Sequence, residues 1–399
     1  MQNFDVFNAT AAADSSAANS STVNSSAAAA LIPQLDFLAL SRANPQHLKP
    51  FEFTLQNGVR VEVWDTGVIC LTPITQAASP FPPQATSPLP AELANPVPAD
   101  AAMPLDIVIS CGVHGNETAP IELCNSILKD ILAMQLPLAH RLLMLFANPP
   151  AMNAGVRELV DNMNRLFSGH HSKGEFNPSW ERDRAAALEG YVSRFYQGRS
   201  SQVAVARVLY DLHTAIRGSA FEKFAVYPYL HGKPWSQTQL QFLRRCEVNT
   251  LLLMQTPAST FSYYGAQAHG AHAFTLELGK VRPFGDNDMR RFAACDESLR
   301  LLIAGADLAM PAYDDADFNL FAVYRAINKQ TDAFELAFAR DVENFTQFPL
   351  GTLLARDGDM EYRVEQPGEA LIFPNANVAI GQRAMLMVVP TSIAGQTAP

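Results

Sequence analysis

The chain has few cysteines, no long apolar run and no basic tract, and each of these absences excludes a class of protein. The five cysteines among 399 residues are scattered without C-x-x-C spacing, which favours a reducing cytoplasm over a disulfide framework. No stretch approaches the roughly 20 apolar residues of a membrane span, and the N-terminus lacks the basic region of a secretory signal. We therefore predict a cytoplasmic protein without a membrane partner.

Positive charge is scarce as well. Acidic residues outnumber basic ones by 39 to 29, which gives a formal net charge of −10. This balance, without a Lys/Arg tract, argues against nucleic acid as a partner. We expect a small-molecule substrate instead, and the sequence leaves the oligomeric state open.

Composition divides the chain into segments. Residues 1–34 are rich in Ala and Ser and too poor in large apolar groups to offset the entropy of ordering, which predicts a disordered tail. Residues 35–310 form the large domain, in which the Pro/Ala-rich stretch 72–104 predicts a surface insert. Residues 311–399 contain alternating apolar runs between turns, which predicts a small β-rich domain.

Short apolar runs alternate with amphipathic ones in the large domain. This alternation predicts an α/β fold in which a mixed sheet is flanked by helices on both faces. A hairpin with an Asn-Gly turn precedes it, at residues 51–55 and 59–64. We expect further strands at 106–111, 141–147, 205–212, 250–254 and 271–278, and helices at 118–134, 185–196, 236–245 and 286–304.

An H-G-N-E motif follows the first of these apolar strands. It places His114 and Glu117 three residues apart, and Gly112 and Gly115 allow a sharp turn. Open α/β sheets bind ligands at the carboxyl ends of their strands, so this position suits a catalytic site. We interpret the two residues as half of an open metal site, and a histidine that is merely hydrogen-bonded on a turn is the alternative.

A second strand-like run ends in a D-x-H motif. Catalytic zinc typically takes three protein ligands and keeps a fourth position for water. His213 could be the third ligand, and Asp211 could accept the other ring proton of that imidazole. A satisfied core histidine is the alternative for His213.

A carboxylate interrupts a third apolar strand pattern. Buried glutamates are unusual unless they are paired or functional. Glu277 could take a proton from water and pass it to a leaving nitrogen. A salt bridge with Lys280 or an arginine is the alternative.

These motifs occur in one order, and in that order the chain resembles the zinc-dependent succinylglutamate desuccinylase and aspartoacylase family, relatives of the zinc carboxypeptidases. The resemblance is specific to the desuccinylase branch in residues 113–120, 211–219 and 275–280. It extends from about residue 35 to residue 389, so it implies a zinc-carboxypeptidase-like fold and the family's C-terminal domain.

The resemblance also implies roles for the motif residues. His114, Glu117 and His213 would bind one zinc ion per subunit, and Glu277 would activate its water. These roles agree with the chemistry argued from the residues alone.

The family carries an arginine that is followed seven residues later by an Asn-Arg pair. Here these residues are Arg157, Asn164 and Arg165. Arg157 would stabilise the oxyanion of a tetrahedral intermediate, while Asn164 and Arg165 would hold the α-carboxylate of the substrate. Arg217 is a candidate for a further carboxylate, with ordinary surface pairing as the alternative.

The activity implied by the resemblance is hydrolysis of N-succinyl-L-glutamate to succinate and L-glutamate, the last step of arginine breakdown through succinylated intermediates. An aspartoacylase- or carboxypeptidase-like amidase acting on another N-acyl amino acid is the nearest alternative. A metal- or carboxylate-binding protein without turnover is the alternative from another class. Glu277 argues against the latter, because binding alone would not require a base.

Overall fold

The described residues form a mixed sheet of twelve strands. The predicted tail and nearly all of the predicted Pro/Ala-rich insert lie outside the described residues. The structure is a computed structural model, which describes residues 35–73, 104–174, 177–198 and 205–398.

The strands carry most of the described architecture. They are numbered here in chain order. They are β1 Phe51–Thr54, β2 Arg60–Asp65, β3 Val68–Thr72, β4 Leu105–Cys111, β5 Arg141–Phe146, β6 Ala206–Ala215, β7 Phe224–Tyr227, β8 Trp235–Ser236, β9 Thr250–Leu253, β10 His272–Lys280, β11 Asn319–Asn328, β12 Glu335–Leu336, β13 Leu353–Asp357, β14 Met360–Arg363, β15 Ala370–Ile372, β16 Arg383–Pro390 and β17 Thr397–Ala398.

Four parallel strands lie near the middle of the large sheet. Its order is β1-β2-β3-β5-β4-β6-β10-β7-β9-β11-β16-β15, and β5, β4, β6 and β10 are parallel neighbours. Strands β4 and β5 are buried along almost their whole length, as expected of parallel strands covered on both faces. The carboxyl ends of these strands meet at one edge, where the motifs lie.

Helices cover both faces of the sheet, which confirms the predicted fold class. One apolar cluster includes side chains of the helices Thr118–Leu132, Gln237–Arg245 and Ala293–Ala304, and a second cluster on the other face includes those of Trp180–Gln197 and Phe261–His269. Among the described residues, no helix combines the length and hydropathy needed to cross a bilayer. The helices are α1 Phe37–Ala43, α2 Thr118–Leu132, α3 Pro149–Ala154, α4 Trp180–Gln197, α5 Gln237–Arg245, α6 Phe261–His269 and α7 Ala293–Ala304, with 3-10 turns at Met163–Arg165, His170–Ser172, Met289–Phe292 and Asp315–Asp317.

The C-terminal strands are shared between the large sheet and a small one. Strand β11 pairs in parallel with β9 and antiparallel with β16, so β11, β16 and β15 extend the large sheet. Strands β12, β13 and β14 form a separate three-stranded sheet. The domain boundary near residue 311 stays a prediction, and the large sheet includes strands from both sides of it.

Candidate metal centre and active site

The loop between β4 and α2 carries the first two predicted ligands. Gly112 has a φ of 66°, a left-handed conformation that favours glycine. At Gly115, an added Cβ would lie 2.2 Å from the carbonyl carbon of Ala151. The two glycines therefore permit a tight loop against α3, and this loop buries His114 and Glu117 almost completely.

Glu117 lies between the two predicted imidazole ligands. Its Oε1 is 2.8 Å from Nδ1 of His114, and its Oε2 is 2.8 Å from Nδ1 of His213. The main-chain N–H of Thr214 also donates to Oε2, at 3.0 Å. All three candidate ligand atoms lie within 4.8 Å of one another, so the structure brings together a buried cluster that could hold a metal ion.

The far nitrogen of each imidazole contacts an oxygen. Nε2 of His213 lies 2.8 Å from Oδ2 of Asp211, as predicted, and Nε2 of His114 lies 3.1 Å from Oδ1 of Asn162. Such acceptors hold the ring proton on Nε2, which leaves Nδ1 for a cation. Two imidazole nitrogens and one carboxylate oxygen are the ligands of several open catalytic zinc sites, so these residues fit zinc.

The buried side chains of the cluster shift one another's pKa values. Burial favours neutral Glu117, but His114 and His213 outweigh it and hold the pKa of this carboxyl well below its usual range. Burial likewise opposes protonation of His213, yet Asp211 and Glu117 raise its pKa well above the usual value. Burial and Arg157 lower the pKa of His114 to about 4. An incoming cation would therefore take the place of a proton on His213.

Glu277 lies beside the third ligand on the neighbouring strand. It is in register with His213 across the parallel pair β10 and β6. Its Oε2 is buried and has no hydrogen-bond partner among the described residues, and no ion pair with Lys280 forms. His213 lowers the pKa of the Glu277 carboxyl, but burial and the neighbouring Glu117 carboxylate outweigh this effect and raise that pKa to about 7. A carboxyl poised near neutrality can both accept and donate a proton.

Arg157 lies directly against the cluster. Its Nη1 donates to Oε1 of Glu117 at 2.6 Å, and its main-chain carbonyl accepts from the N–H of Gly115 at 3.0 Å. The guanidinium is therefore fixed next to the predicted ligands, where the predicted oxyanion role requires it.

Asn164 and Arg165 lie in the 3-10 turn that follows. Oδ1 of Asn164 accepts from the N–H of Phe261 at 3.0 Å, which holds the amide in place, and its N–H groups are the donors that could meet a carboxylate. Nη1 of Arg165 donates to the main-chain carbonyl of Asn164 at 2.8 Å. Arg217 instead donates to the main-chain carbonyl of Arg340, in the C-terminal segment. The substrate-binding roles of these residues stay predictions.

All the predicted site residues line one cavity of about 1260 Å³. Its wall comes from both the large domain and the C-terminal segment. Sequence reasoning assigned no role to Asn162 or to the polar side chains that the C-terminal segment contributes, since no chemical pattern in the sequence connects them to the metal motifs. The C-terminal lining residues include Lys329, Phe334, Arg340, Asn375, Gln382 and Arg383.

Two family models match the chain. Residues 104–303 match the family model of the succinylglutamate desuccinylase/aspartoacylase catalytic domain. Residues 316–391 match the model of the AstE/AspA barrel-sandwich hybrid domain. Together the two models cover more than half of the chain, including the candidate metal ligands and Arg383.

Individual relatives extend over almost the whole chain. A succinylglutamate desuccinylase of Shewanella piezotolerans is 48% identical over 354 residues, which are 88% of this chain and 95% of that protein. The crystal structure of a protein of the same name from Vibrio parahaemolyticus has a TM-score of 0.75 at 35% identity, covering 90% of this chain and 96% of that one. A third, from Chromobacterium violaceum, has a TM-score of 0.71 at 38% identity, covering 89% and 98%.

Proposed function

The chain belongs to the succinylglutamate desuccinylase/aspartoacylase family, and from this premise we propose that it is a zinc-dependent hydrolase that cleaves N-succinyl-L-glutamate to succinate and L-glutamate. The observation that carries the proposal is the buried His114, Glu117 and His213 cluster with Glu277 in register beside it. The name of the Shewanella relative, at 48% identity, supports the succinylated substrate.

In the proposed site, His114, Glu117 and His213 would hold the zinc ion. Bound zinc would acidify a water molecule and polarise the substrate carbonyl. Asp211 and Asn162 orient the two imidazoles through their Nε2 atoms.

The protein's own side chains then move the proton. Glu277 accepts a proton from water as the water oxygen bonds to the amide carbonyl carbon. Arg157 stabilises the oxyanion that forms. Glu277 returns the proton to the amide nitrogen as the C–N bond breaks, which releases L-glutamate. The carboxyl pKa of about 7 suits both transfers.

The substrate carries three carboxylates, so its binding requires local positive charge in a protein of net charge −10. Seven arginines and lysines line the cavity beside six carboxylates, and we assign Asn164 and Arg165 to the α-carboxylate and Arg217 to another. This substrate would place the reaction at the end of arginine breakdown through succinylated intermediates.

A cytoplasmic location and a small-molecule partner are part of the same proposal. All five cysteines are buried and free in the structure, which supports a reducing compartment.

The test is release of L-glutamate from N-succinyl-L-glutamate by the purified protein, with a chelator and with zinc added back. N-acetyl-L-aspartate serves as the control substrate. We expect turnover of the succinylated substrate only, lost with chelator and restored by zinc. Turnover of the acetylated substrate alone would assign an aspartoacylase activity, and turnover of neither would favour a binding role.

A further inference from the structure

Arg383 lines the cavity, and no described residue forms an ion pair with it. It opens strand β16, where it is in register with Asn328 of β11. Its side chain is only partly exposed, and burial lowers its pKa to about 10. Among the described residues it makes no ion pair and no hydrogen bond with a side chain. No part of the proposed reaction has yet used it.

A second guanidinium lies near it. Arg165 also lines the cavity, and burial, Arg383 and Arg157 all lower its pKa well below the usual value. Among the described residues, the one hydrogen bond of its guanidinium is to the main-chain carbonyl of Asn164. The carboxylate that influences it, Glu158, lies 3.6 Å from Nε of Arg157 instead. Arg165 and Gln382, the residue before Arg383, also line one smaller cavity, so the two arginines occupy neighbouring positions of the wall. Among the described residues, neither guanidinium forms an ion pair.

This arrangement differs from buried arginines elsewhere in the fold. Arg141, for example, is paired with Asp106 at 3.0 Å, on the far side of the sheet's central strands from the motif loops. Partly buried cations that repel each other destabilise a protein unless an anion compensates them. At the wall of an open cavity, that anion can come from a ligand.

We propose that Arg165 and Arg383 together form a subsite for one carboxylate of the substrate, so that the C-terminal segment supplies a specificity-determining residue. The identity of the substrate rests on the proposed function. A planar guanidinium can grip a carboxylate through two parallel N–H···O bonds, and two guanidiniums can share its two oxygens. The C-terminal segment that contains Arg383 would then help to select the substrate as well as enclose the cavity.

The test compares the wild type and one variant on substrates that each lack a different carboxylate. Arg383→Gln would be assayed on N-succinyl-L-glutamate and on its three analogues, each with one carboxylate replaced by a carboxamide. We expect Arg383→Gln to lower kcat/KM by about 10- to 100-fold on the parent and on two analogues. On the third analogue, which lacks the carboxylate that Arg383 binds, the variant and the wild type should differ little. An equal loss on all four substrates, or no loss on any, would overturn the subsite.

Two further variants sharpen the result. Arg383→Lys keeps the charge without the planar fork, so we expect it to restore part of the loss and to keep the same substrate pattern. Arg363→Gln removes an exposed arginine that pairs with Glu361 outside the cavity, and it should leave all four substrates unchanged.

Measurements of ligand binding test the subsite independently of the proposed activity. If the wild type does not turn over N-succinyl-L-glutamate, the proposed function fails. Calorimetric titration with N-succinyl-L-glutamate, L-glutamate and succinate then tests the subsite alone. Weaker binding of at least one of them by Arg383→Gln, but not by Arg363→Gln, would support it, whereas equal or absent binding would overturn it.

Discussion

Arg157 donates a 2.6 Å hydrogen bond to Oε1 of Glu117, so the predicted oxyanion-stabilising residue is held in place by a predicted metal ligand. The same oxygen lies 2.8 Å from Nδ1 of His114. The contact fixes a positive charge beside the candidate ligands before any substrate binds. Preorganised charge of this kind stabilises a transition state without reorganisation during the reaction.

Replacing this arginine should therefore slow the chemical step. We expect Arg157→Ala to lower kcat by about 10²- to 10³-fold, the usual effect of removing one oxyanion donor. Steady-state kinetics on N-succinyl-L-glutamate, with the zinc content measured in parallel, checks this. Arg290→Ala is the matched control, because the side chain of Arg290 is exposed and, among the described residues, bonds only to Asp288. A variant that keeps zinc and nearly normal kcat would rule out the oxyanion role.

The contact between Asp211 and His213 should strengthen zinc binding, although Asp211 is not itself a predicted ligand. Asp211→Asn keeps the shape of the side chain but removes the charge that faces Nε2 of His213. Loss of such a contact typically weakens metal affinity by about 10- to 100-fold. Competition for zinc with a chromophoric chelator measures the change. Unaltered affinity in a folded variant would mean that His213 needs no partner to bind zinc.

The convergence of the candidate metal ligands could be predicted because each lies in a short motif near a strand end. Parallel strands bring those ends to one edge, so His114, Glu117 and His213 converge whatever lies between them in sequence. The position of Glu277 followed in the same way. Arg383 could not be predicted, because its distance from the cluster depends on how the C-terminal strands extend the sheet.

Local signals explain the errors at the level of single elements. The helix expected at 185–196 begins five residues earlier, at Trp180, because Ser179 caps it by accepting from the N–H of Arg182 at 3.3 Å. Strand β7 is only four residues long and was missed. Helix α6 was missed as well, since its aromatic and glycine-containing sequence is a poor match to helix propensity.

Gly115 tests how strongly the motif loop depends on close packing. A Cβ there would lie 2.2 Å from the carbonyl carbon of Ala151 and 2.3 Å from the N atom of Met152, and both are main-chain atoms that cannot simply move aside. We expect Gly115→Ala to lower the free energy of unfolding by about 1–3 kcal/mol and to weaken zinc binding. Urea unfolding and the chelator competition give the two quantities.

The matched control for this substitution is Gly190→Ala. Gly190 lies within α4, and an added Cβ there meets nothing within 4 Å. Alanine favours a helix over glycine, so this variant should be more stable by about 0.5–1 kcal/mol with unchanged zinc affinity. If both substitutions had the same effect, the loop would not be as tightly packed as the structure indicates.

Glu277→Gln should remove most of the activity without removing the zinc. The neutral amide keeps the shape of the side chain but cannot accept a proton from water. We expect kcat to fall by about 10²- to 10⁴-fold while zinc is retained. Near-normal turnover would exclude Glu277 as the base.

The same variant should make the metal-free protein more stable at high pH. Burial raises the pKa of Glu277 from 4.5 to about 7, so the folded state binds more protons than the unfolded state between these values. Stability contributed by this group is therefore present below pH 4.5 and is lost as the pH rises toward 7. Above pH 7 the buried charge should destabilise the wild type by roughly 3 kcal/mol relative to the neutral carboxyl. Urea unfolding at pH 5 and pH 8, with the zinc removed, should show the advantage of Glu277→Gln growing with pH, and an advantage that does not change with pH would contradict the raised pKa.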